Sequence, residues 1–138
     1  DTLSMTAAIE GRNTKRRNAD RVSHPVNPGT TIYAGTLFAL LTANGNAVPG
    51  GTAASGNAVG VAEDTVAGDG TARVEGTRGA AFQFANSTAA DLITRADIGN
   101  TAFIVDDQTV AKTDNSAARK AAGKIIDVDA GGVWVLVG

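Results

Sequence analysis

The sequence has no cysteine and few aromatic residues, with four Phe, one Tyr and one Trp among 138 residues. The absence of cysteine excludes disulfide bonds and thiolate metal sites. The longest apolar runs, 37–41 and 133–137, have only five residues, whereas about 20 are needed to cross a bilayer. We therefore expect no membrane-spanning helix and no membrane partner.

The residues that are abundant favour short strands joined by turns. Glycine occurs 17 times, and alanine, threonine and valine make up much of the remainder. Valine and threonine are enriched in strands, and glycine is typical of turns. The length of 138 residues fits one domain of the commonest size.

Several segments alternate between apolar and polar residues, which is the pattern of a half-buried strand. Ala72 and Val74 fall on one face of such a segment, and Arg73 and Glu75 fall on the other. The Asn-Gly pair at 44–45 predicts a tight turn between two strands. No segment is long and apolar enough for a crossover helix. The pattern predicts a mainly β protein, a small β-barrel or sandwich of short antiparallel strands, with an extended N-terminal arm.

Four aromatic side chains are the predicted packing residues of the core or of an oligomer interface. Phe82 and Phe84 are two positions apart in a predicted strand and therefore share a face. Phe103 lies in the first strand of a predicted hairpin over 102–112. Trp134 lies in the last predicted strand, 133–137, and we interpret it as a core or subunit-interface residue.

Charge is distributed unevenly along the chain. Residues 11–21 contain five basic residues and a single acid, Asp20, whereas seven basic residues face eleven acidic ones from residue 22 onward. The five basic residues are Arg12, Lys15, Arg16, Arg17 and Arg21. Pro25 and Pro28 remove backbone donors and hold the chain extended. The sequence predicts a basic arm over residues 1–28 and a single β-rich body over residues 29–138.

The basic arm has three interpretations. It is either a solvated tail or a segment that becomes ordered on a partner, which requires a large complementary surface to offset the lost conformational entropy. A nucleic-acid-binding arm is the third interpretation. Because the arm has no interleaved aromatic residues for base stacking, we expect no specific nucleic-acid partner.

Few residues in the sequence have the spacing of a catalytic or ligand-binding motif. His24 is the only histidine, and no nucleophile motif accompanies it. The acidic pairs at 106–107 and at 127 and 129 fall at predicted hairpin turns, where Asp accepts hydrogen bonds from turn amides. The glycine-rich segments lack the strand, loop and helix order of a nucleotide site. We predict no catalytic residue, no metal ligand and no cofactor.

Parts of the body carry a resemblance to a known family. The matching segments are TIYAGTLFAL at 31–40, GNAVPG at 45–50, VGVAE at 59–63, FIVDDQTVAKT at 103–113 and GVWV at 132–135. Together they resemble small decoration, or cement, proteins from the capsids of tailed phages and prophages. The resemblance covers most of residues 29–138, and the arm lies outside it.

The resemblance implies a β-rich structural protein without enzymatic activity. Such a protein is made in the cytoplasm of the bacterial host and binds in many copies to the outer surface of the icosahedral capsid. There it bridges and stabilises neighbouring major capsid subunits, and on the virion we expect a homo-oligomer, either a trimer or a dimer. The arm would then lie on the capsid, and the predicted interface cations are Arg12, Lys15, Arg16, Arg17 and Arg21. The four arginines would pair with acidic residues of the capsid.

Two other functions remain as alternatives. One is a carbohydrate- or host-surface-binding module, because exposed loops on a β scaffold suit such binding, although the scarcity of aromatic residues counts against it. The other is a small β-rich nucleotide hydrolase, for which the sequence offers no arrangement of acid, base and phosphate-binding residues.

Overall fold

The computed structural model describes residues 6–138, and within them the chain consists of β-strands, turns and irregular segments. No α-helix occurs in this part of the chain, which contains two single-turn 3₁₀ helices, Ala89–Asp91 and Arg95–Asp97. The prediction of a mainly β protein with antiparallel strands is therefore confirmed. The strands are β1 Arg21–Pro25, β2 Thr31–Ile32, β3 Leu37–Leu40, β4 Ala47–Pro49, β5 Gly60–Ala62, β6 Val66–Ala67, β7 Arg73–Thr77, β8 Ala81–Phe84, β9 Thr101–Asp106, β10 Thr109–Ala111, β11 Ala121–Asp129 and β12 Gly132–Val137.

The strands form two five-stranded antiparallel sheets and one two-stranded sheet. The first sheet has the order β1-β7-β5-β3-β4, and the second has the order β10-β9-β11-β12-β8. The small sheet pairs β2 with β6. The three hairpins β3–β4, β9–β10 and β11–β12 lie where the sequence pattern placed them.

Each five-stranded sheet bends until its two edge strands meet at one point. In the first sheet Val26, directly after β1, forms a parallel bridge with Ala47 of β4. In the second sheet Ala85, directly after β8, forms a parallel bridge with Thr109 of β10. These are single bridges, and none of the sheets in residues 6–138 closes into a barrel. The β-barrel form of the fold prediction is therefore not confirmed.

The segment predicted as an arm, 1–28, has two different described parts. Residues 6–20 are exposed and contain neither strand nor helix. Residues 21–25 instead form β1, which pairs with β7 across five residue pairs, from Arg21 with Thr77 to Pro25 with Arg73. The β-structured body therefore begins at β1, earlier in the chain than residue 29, where the prolines predict its start. The prediction for residues 1–5 lies outside the described part of the chain.

The buried side chains form two clusters, and the larger one joins the two five-stranded sheets. It contains residues of β8, β9, β11 and β12 together with Leu37, Ala58 and Val61 of the first half of the chain. The smaller cluster lies within the first half and is built around Phe38, Ile32 and Val74. Main-chain hydrogen bonds from Leu37 to Asp107 and from Ala58 to Ala121, 2.8 Å and 2.9 Å long, connect the halves further.

Phe38 is fully buried, and glycines provide the space for its ring. A Cβ on Gly60 would lie 3.2 Å from the ring, and one on Gly76 would lie 2.5 Å from ring atom Cε1. Both glycines are in strands adjacent in the first sheet, where a side chain would otherwise project toward the ring. Two neighbouring strands thus leave space where a side chain is missing, and one large aromatic ring fills that space.

The aromatic packing residues separate into two groups. Phe84 is buried in the larger cluster, and Phe82 packs against the same cluster. Phe103 and Trp134 belong to neither cluster and are half-buried. Trp134 pairs with Gln83 of β8 and alternates with the buried Val133 and Val135, which places it on the outer face of the second sheet.

We predict that Gly76→Ala lowers the free energy of unfolding by about 1–3 kcal/mol, because the added methyl group overlaps the Phe38 ring. Gly11→Ala is the matched control, since a Cβ there would meet nothing within 4 Å. Denaturant unfolding of the two variants measures the difference. Equal stability of Gly76→Ala and the unmodified protein would contradict this packing account.

Candidate interaction site at the root of the basic segment

Four of the five predicted interface cations lie together in an exposed stretch of irregular chain. Arg12, Lys15, Arg16 and Arg17 are exposed, and we call residues 12–18 the basic segment. None of the four forms an ion pair with any residue in 6–138. Their charges are therefore available to a partner, because no ion pair within this part of the molecule offsets them.

The fifth cation, Arg21, is already paired within the protein. It lies in β1, and its guanidinium is 2.9 Å from the Glu63 carboxylate. The pair is largely exposed, with 61% of the Arg21 side chain accessible, so its contribution to stability is about 0–1 kcal/mol. Arg21 thus differs from the other four, because a partner carboxylate would have to share it with Glu63.

Arg78 fixes the point where the basic segment joins the body. Its backbone N–H donates to the carbonyl oxygen of Asp20 at 3.0 Å, and Nη1 donates to the carbonyl oxygen of Ala19 at 2.6 Å. Nη2 donates to the backbone oxygen of Gly138. One side chain therefore ties the start of β1 to the end of β12, and so connects the basic segment to both five-stranded sheets.

A cleft of about 410 Å³ lies at this junction. Its floor is apolar and consists of Val22, Leu40, Ala58 and Val59. The polar side chains around it are Arg17, Asn18, Arg21, His24 and Arg78, and none of the residues that line it is acidic. We call this the root cleft.

A second cleft adjoins the root cleft along β1. It has a volume of about 390 Å³ and shares Arg17, Asn18, Arg21 and Val22 with the root cleft. Arg73 and Glu75 of β7 also line it. The Arg73 guanidinium donates to Oγ and to the carbonyl oxygen of Ser23, at 3.0 Å and 2.9 Å.

His24, the only histidine, lies at the edge of the root cleft and is not part of a catalytic arrangement in the described residues. Its ring meets Phe38 edge to face, with ring centroids 6.4 Å apart. Partial burial lowers the pKa of His24 below its ordinary value of 6.5, and the nearby Arg73 charge lowers it further. The imidazole is therefore held neutral near pH 7, as part of the packing around Phe38.

The predicted turn aspartates take part in local hydrogen bonds. Asp129 accepts from Trp134 Nε1 at 2.9 Å, from Gly131 N at 2.8 Å and from Gln83 Nε2 at 2.8 Å. These donors, the indole first, lower the pKa of Asp129. Asp106 accepts from Gln108 N at 3.0 Å, and Asp127 pairs with Arg95 at 2.8 Å. Asp106 and Asp129 thus accept from amides of their own turns, whereas Asp127 lies within β11 rather than in the predicted turn.

Asp107 differs from the other turn aspartates. Partial burial raises its pKa, and the neighbouring Asp106 charge raises it further.

No group of three or more His, Asp or Glu side chains suited to a metal ion occurs within residues 6–138.

A third cleft, of about 510 Å³, lies between the loops 51–55 and 117–120. Ala54 and Ala117 on its walls have positive φ angles of 58° and 69°, and Asn115 and Ser116 precede Ala117 in the same conformation. Such backbone costs on the order of 1–3 kcal/mol per residue. The hydroxyls of Thr42 and Ser55 at this cleft donate to carbonyl oxygens of the 52–54 loop, so they are committed to holding the loop.

Sequence reasoning identified the cations of the basic segment but missed Arg78 and the root cleft. Arg78 lies in a Thr-Arg-Gly turn between β7 and β8, and its partners are 59 and 60 residues away in the chain. No local signal in the sequence marks such a contact.

Comparison with known proteins gives no relative for this chain. No protein-family model, no curated protein and no solved structure matches it. Among residues 6–138, no helix has the length and apolar character needed to span a membrane.

We predict that Arg78→Gln loosens the start of β1 while the rest of the body stays folded. Loss of the guanidinium removes the hydrogen bonds to Ala19 and Gly138, so trypsin cleavage after Arg21 should become several-fold faster. Arg95→Gln is the matched control, because it removes an exposed arginine paired with Asp127 on the second sheet. Unchanged cleavage after Arg21 in Arg78→Gln would show that Arg78 does not fix this junction.

We also predict that the stability contributed by His24 depends on pH. Because the pKa of His24 is lowered in the folded state, the unfolded chain binds the proton more readily below about pH 6.5. This contribution is complete above that value and is lost as the pH falls. Unfolding free energies between about pH 7.5 and about pH 5 should therefore fall more steeply for the unmodified protein than for His24→Gln. Parallel curves would exclude the effect.

Proposed function

We propose that this protein is a capsid decoration protein, which binds the outer surface of an icosahedral phage capsid and stabilises it by bridging major capsid subunits. The observation that carries the proposal is the exposed, unpaired basic segment held by Arg78 to a body of packed β-sheets. The resemblance of the body segments at 31–40, 59–63 and 103–113 to decoration proteins supports the same function.

The body is suited to a clamp because its two halves share one core. The larger buried cluster contains side chains from both five-stranded sheets, and a main-chain hydrogen bond connects β3 with the β9–β10 turn. A clamp that bridges two subunits must resist their separation, and a body with a continuous core transmits such a load without internal sliding.

The basic segment is suited to an acidic protein surface. Arginine has a planar guanidinium that contacts a carboxylate through two parallel hydrogen bonds, and three of the four unpaired cations are arginines. Ordering the segment costs on the order of 1–2 kcal/mol per residue, so binding requires several such contacts together. We propose that the arm predicted over residues 1–28 supplies these arginine–carboxylate contacts. Within the described part of the arm, the residues that do so precede β1.

We further propose that the protein is a dimer or trimer on the virion. The outer face of the second sheet carries the half-buried Trp134 and Leu136, and Ile126 nearby is 42% exposed. Apolar side chains on a sheet face are commonly covered by a second subunit. In this proposal the protein is not an enzyme and functions on the capsid exterior after synthesis in the bacterial cytoplasm.

One observation favours a second candidate, a carbohydrate- or host-surface-binding module. The Trp134 indole lies on the outer face of the second sheet beside Asp129 and Gln83, and a flat indole flanked by polar groups is suited to binding sugars. The hydrogen bonds within this group already use the indole N–H, which leaves fewer polar groups for a ligand. We therefore rank this function second.

We predict that the double variant Arg12→Gln, Arg16→Gln binds expanded capsids at least about fivefold more weakly, because two exposed ion pairs contribute on the order of 1 kcal/mol in total. The matched control is Lys120→Gln, Lys124→Gln, which changes the net charge equally but alters the second half of the body. Co-sedimentation with capsids prepared without the protein measures both affinities.

The comparison of the two double variants decides the role of the basic segment. Equal weakening would mean that overall charge governs binding and would contradict a specific role for the segment. If the unmodified protein does not bind capsids, the proposed function is wrong and the surface around Trp134 becomes the first candidate.

A further inference from the structure

We propose that the root cleft is the docking site for an extended acidic segment of the partner, in which an aliphatic residue adjoins an Asp or Glu. The inference rests on the proposed function, because we assign this segment to the major capsid protein. The root cleft gives the interaction a defined pocket and a defined ligand chemistry, whereas the exposed basic segment alone would provide only charge.

The floor of the cleft is suited to an aliphatic side chain. Val22, Leu40 and Val59 are half-buried, and each packs with its inner side against the smaller core cluster. Their outer sides form the apolar bottom of the cleft. Covering this surface with a Leu, Ile or Val side chain removes apolar area from water on both partners, which stabilises the complex.

The rim of the cleft is suited to a carboxylate. No Asp or Glu lines the cleft, while Arg17 is exposed and has no ion-pair partner among residues 6–138. Arg78 is oriented by its contacts with Ala19 and Gly138, so the wall is ordered before a partner arrives. A carboxylate placed next to the aliphatic residue would meet the Arg17 guanidinium at the mouth of the cleft.

The adjoining cleft explains why the ligand is an extended segment rather than a small molecule. The two clefts share Arg17, Asn18, Arg21 and Val22. A chain that leaves the root cleft along β1 passes directly over Arg21 and toward Arg73. Arg17, Arg21 and Arg73 line this path, and Glu75 lies beside them. Because Arg21 already pairs with Glu63 and Arg73 is hydrogen-bonded to Ser23, Arg17 at the mouth of the root cleft is the main site for the carboxylate of the ligand.

Recognition through side chains is favoured over addition of a strand to the edge of β1. The carbonyl oxygen of Ser23 already accepts a hydrogen bond from Arg73, and Pro25 has no N–H to offer. A partner strand would find an interrupted set of backbone groups on this edge. The partner must then be held by the apolar floor and the arginines.

The test uses two variants with the same charge change at neighbouring positions. Asn18→Glu places a carboxylate at the mouth of both clefts, where it occupies the arginines and repels an acidic ligand. Asn13→Glu is the matched control, because Asn13 is equally exposed and equally part of the basic segment but lines neither cleft. Both positions are exposed, so neither substitution disturbs the core.

The first measurement is co-sedimentation of both variants with expanded capsids. We expect Asn18→Glu to bind about tenfold more weakly than Asn13→Glu, because like charges oppose each other at the cleft. Equal affinities of the two variants, with the unmodified protein binding normally, would overturn the root-cleft inference and leave the proposed function intact.

The second measurement examines the cleft without the capsid. The probe is the capped peptide Gly-Leu-Asp-Leu-Gly, and the control peptide has Asn in place of Asp. We expect the Asp peptide to shift the NMR amide signals of Val22, Leu40 and Val59, and the Asn peptide to shift them far less. Equal shifts with both peptides, or none with either, would overturn the inference. Shifts without capsid binding would support the cleft and contradict the assignment of its ligand to the capsid.

Discussion

The constraint on which the rest of this structure depends is that each five-stranded sheet bends until its edges meet. The chain has only six aromatic residues in 138, and its core consists mainly of aliphatic side chains. In the first sheet one ring, Phe38, fills the space that Gly60 and Gly76 leave open. The bridges from Val26 to Ala47 and from Ala85 to Thr109 are the points where the bending is fixed.

This bending also determines where the basic segment leaves the body. Because β1 is the edge strand that curls toward β4, the residues before it emerge beside the floor formed by Leu40 and Val59. Arg78, which follows the neighbouring strand β7, lies close enough to bind Ala19 and Gly138 together. The junction thus combines an ordered root, an apolar cleft and a run of unpaired cations. A structural binding protein needs these elements together, because a charged segment without an ordered root would contribute attraction but no defined geometry.

Sequence reasoning predicted the local features of this fold and missed the long-range ones. The turn at Asn44-Gly45 and the alternation around Val74 depend on neighbours in the chain. The structure confirms the alternation, and it places Asn44 and Gly45 in a connection over residues 41–46 between β3 and β4 that is longer than the predicted tight turn. The pairing of β1 with β7 joins residues about 50 apart, and no local pattern encodes it, so residues 21–25 were assigned to the arm. Its alternation with Val133 and Val135 predicts Trp134 as a core or subunit-interface residue. In the structure both valines are buried and Trp134 lies on the outer face of the second sheet, which leaves the subunit interface as a prediction. The charge distribution of the sequence predicts the basic residues of the site. It does not predict the root cleft, because the cleft depends on which distant strands lie together.

The central claim is that the folded body and its basic segment act together to hold capsid subunits in place. The most direct measurement is titration of purified protein onto expanded capsids that lack it, with the bound amount and the survival of the particles on heating recorded together. The account predicts binding that saturates at a fixed number of copies per particle, with heat resistance that rises in proportion to occupancy. Binding that does not saturate, or that saturates without any gain in heat resistance, would contradict it.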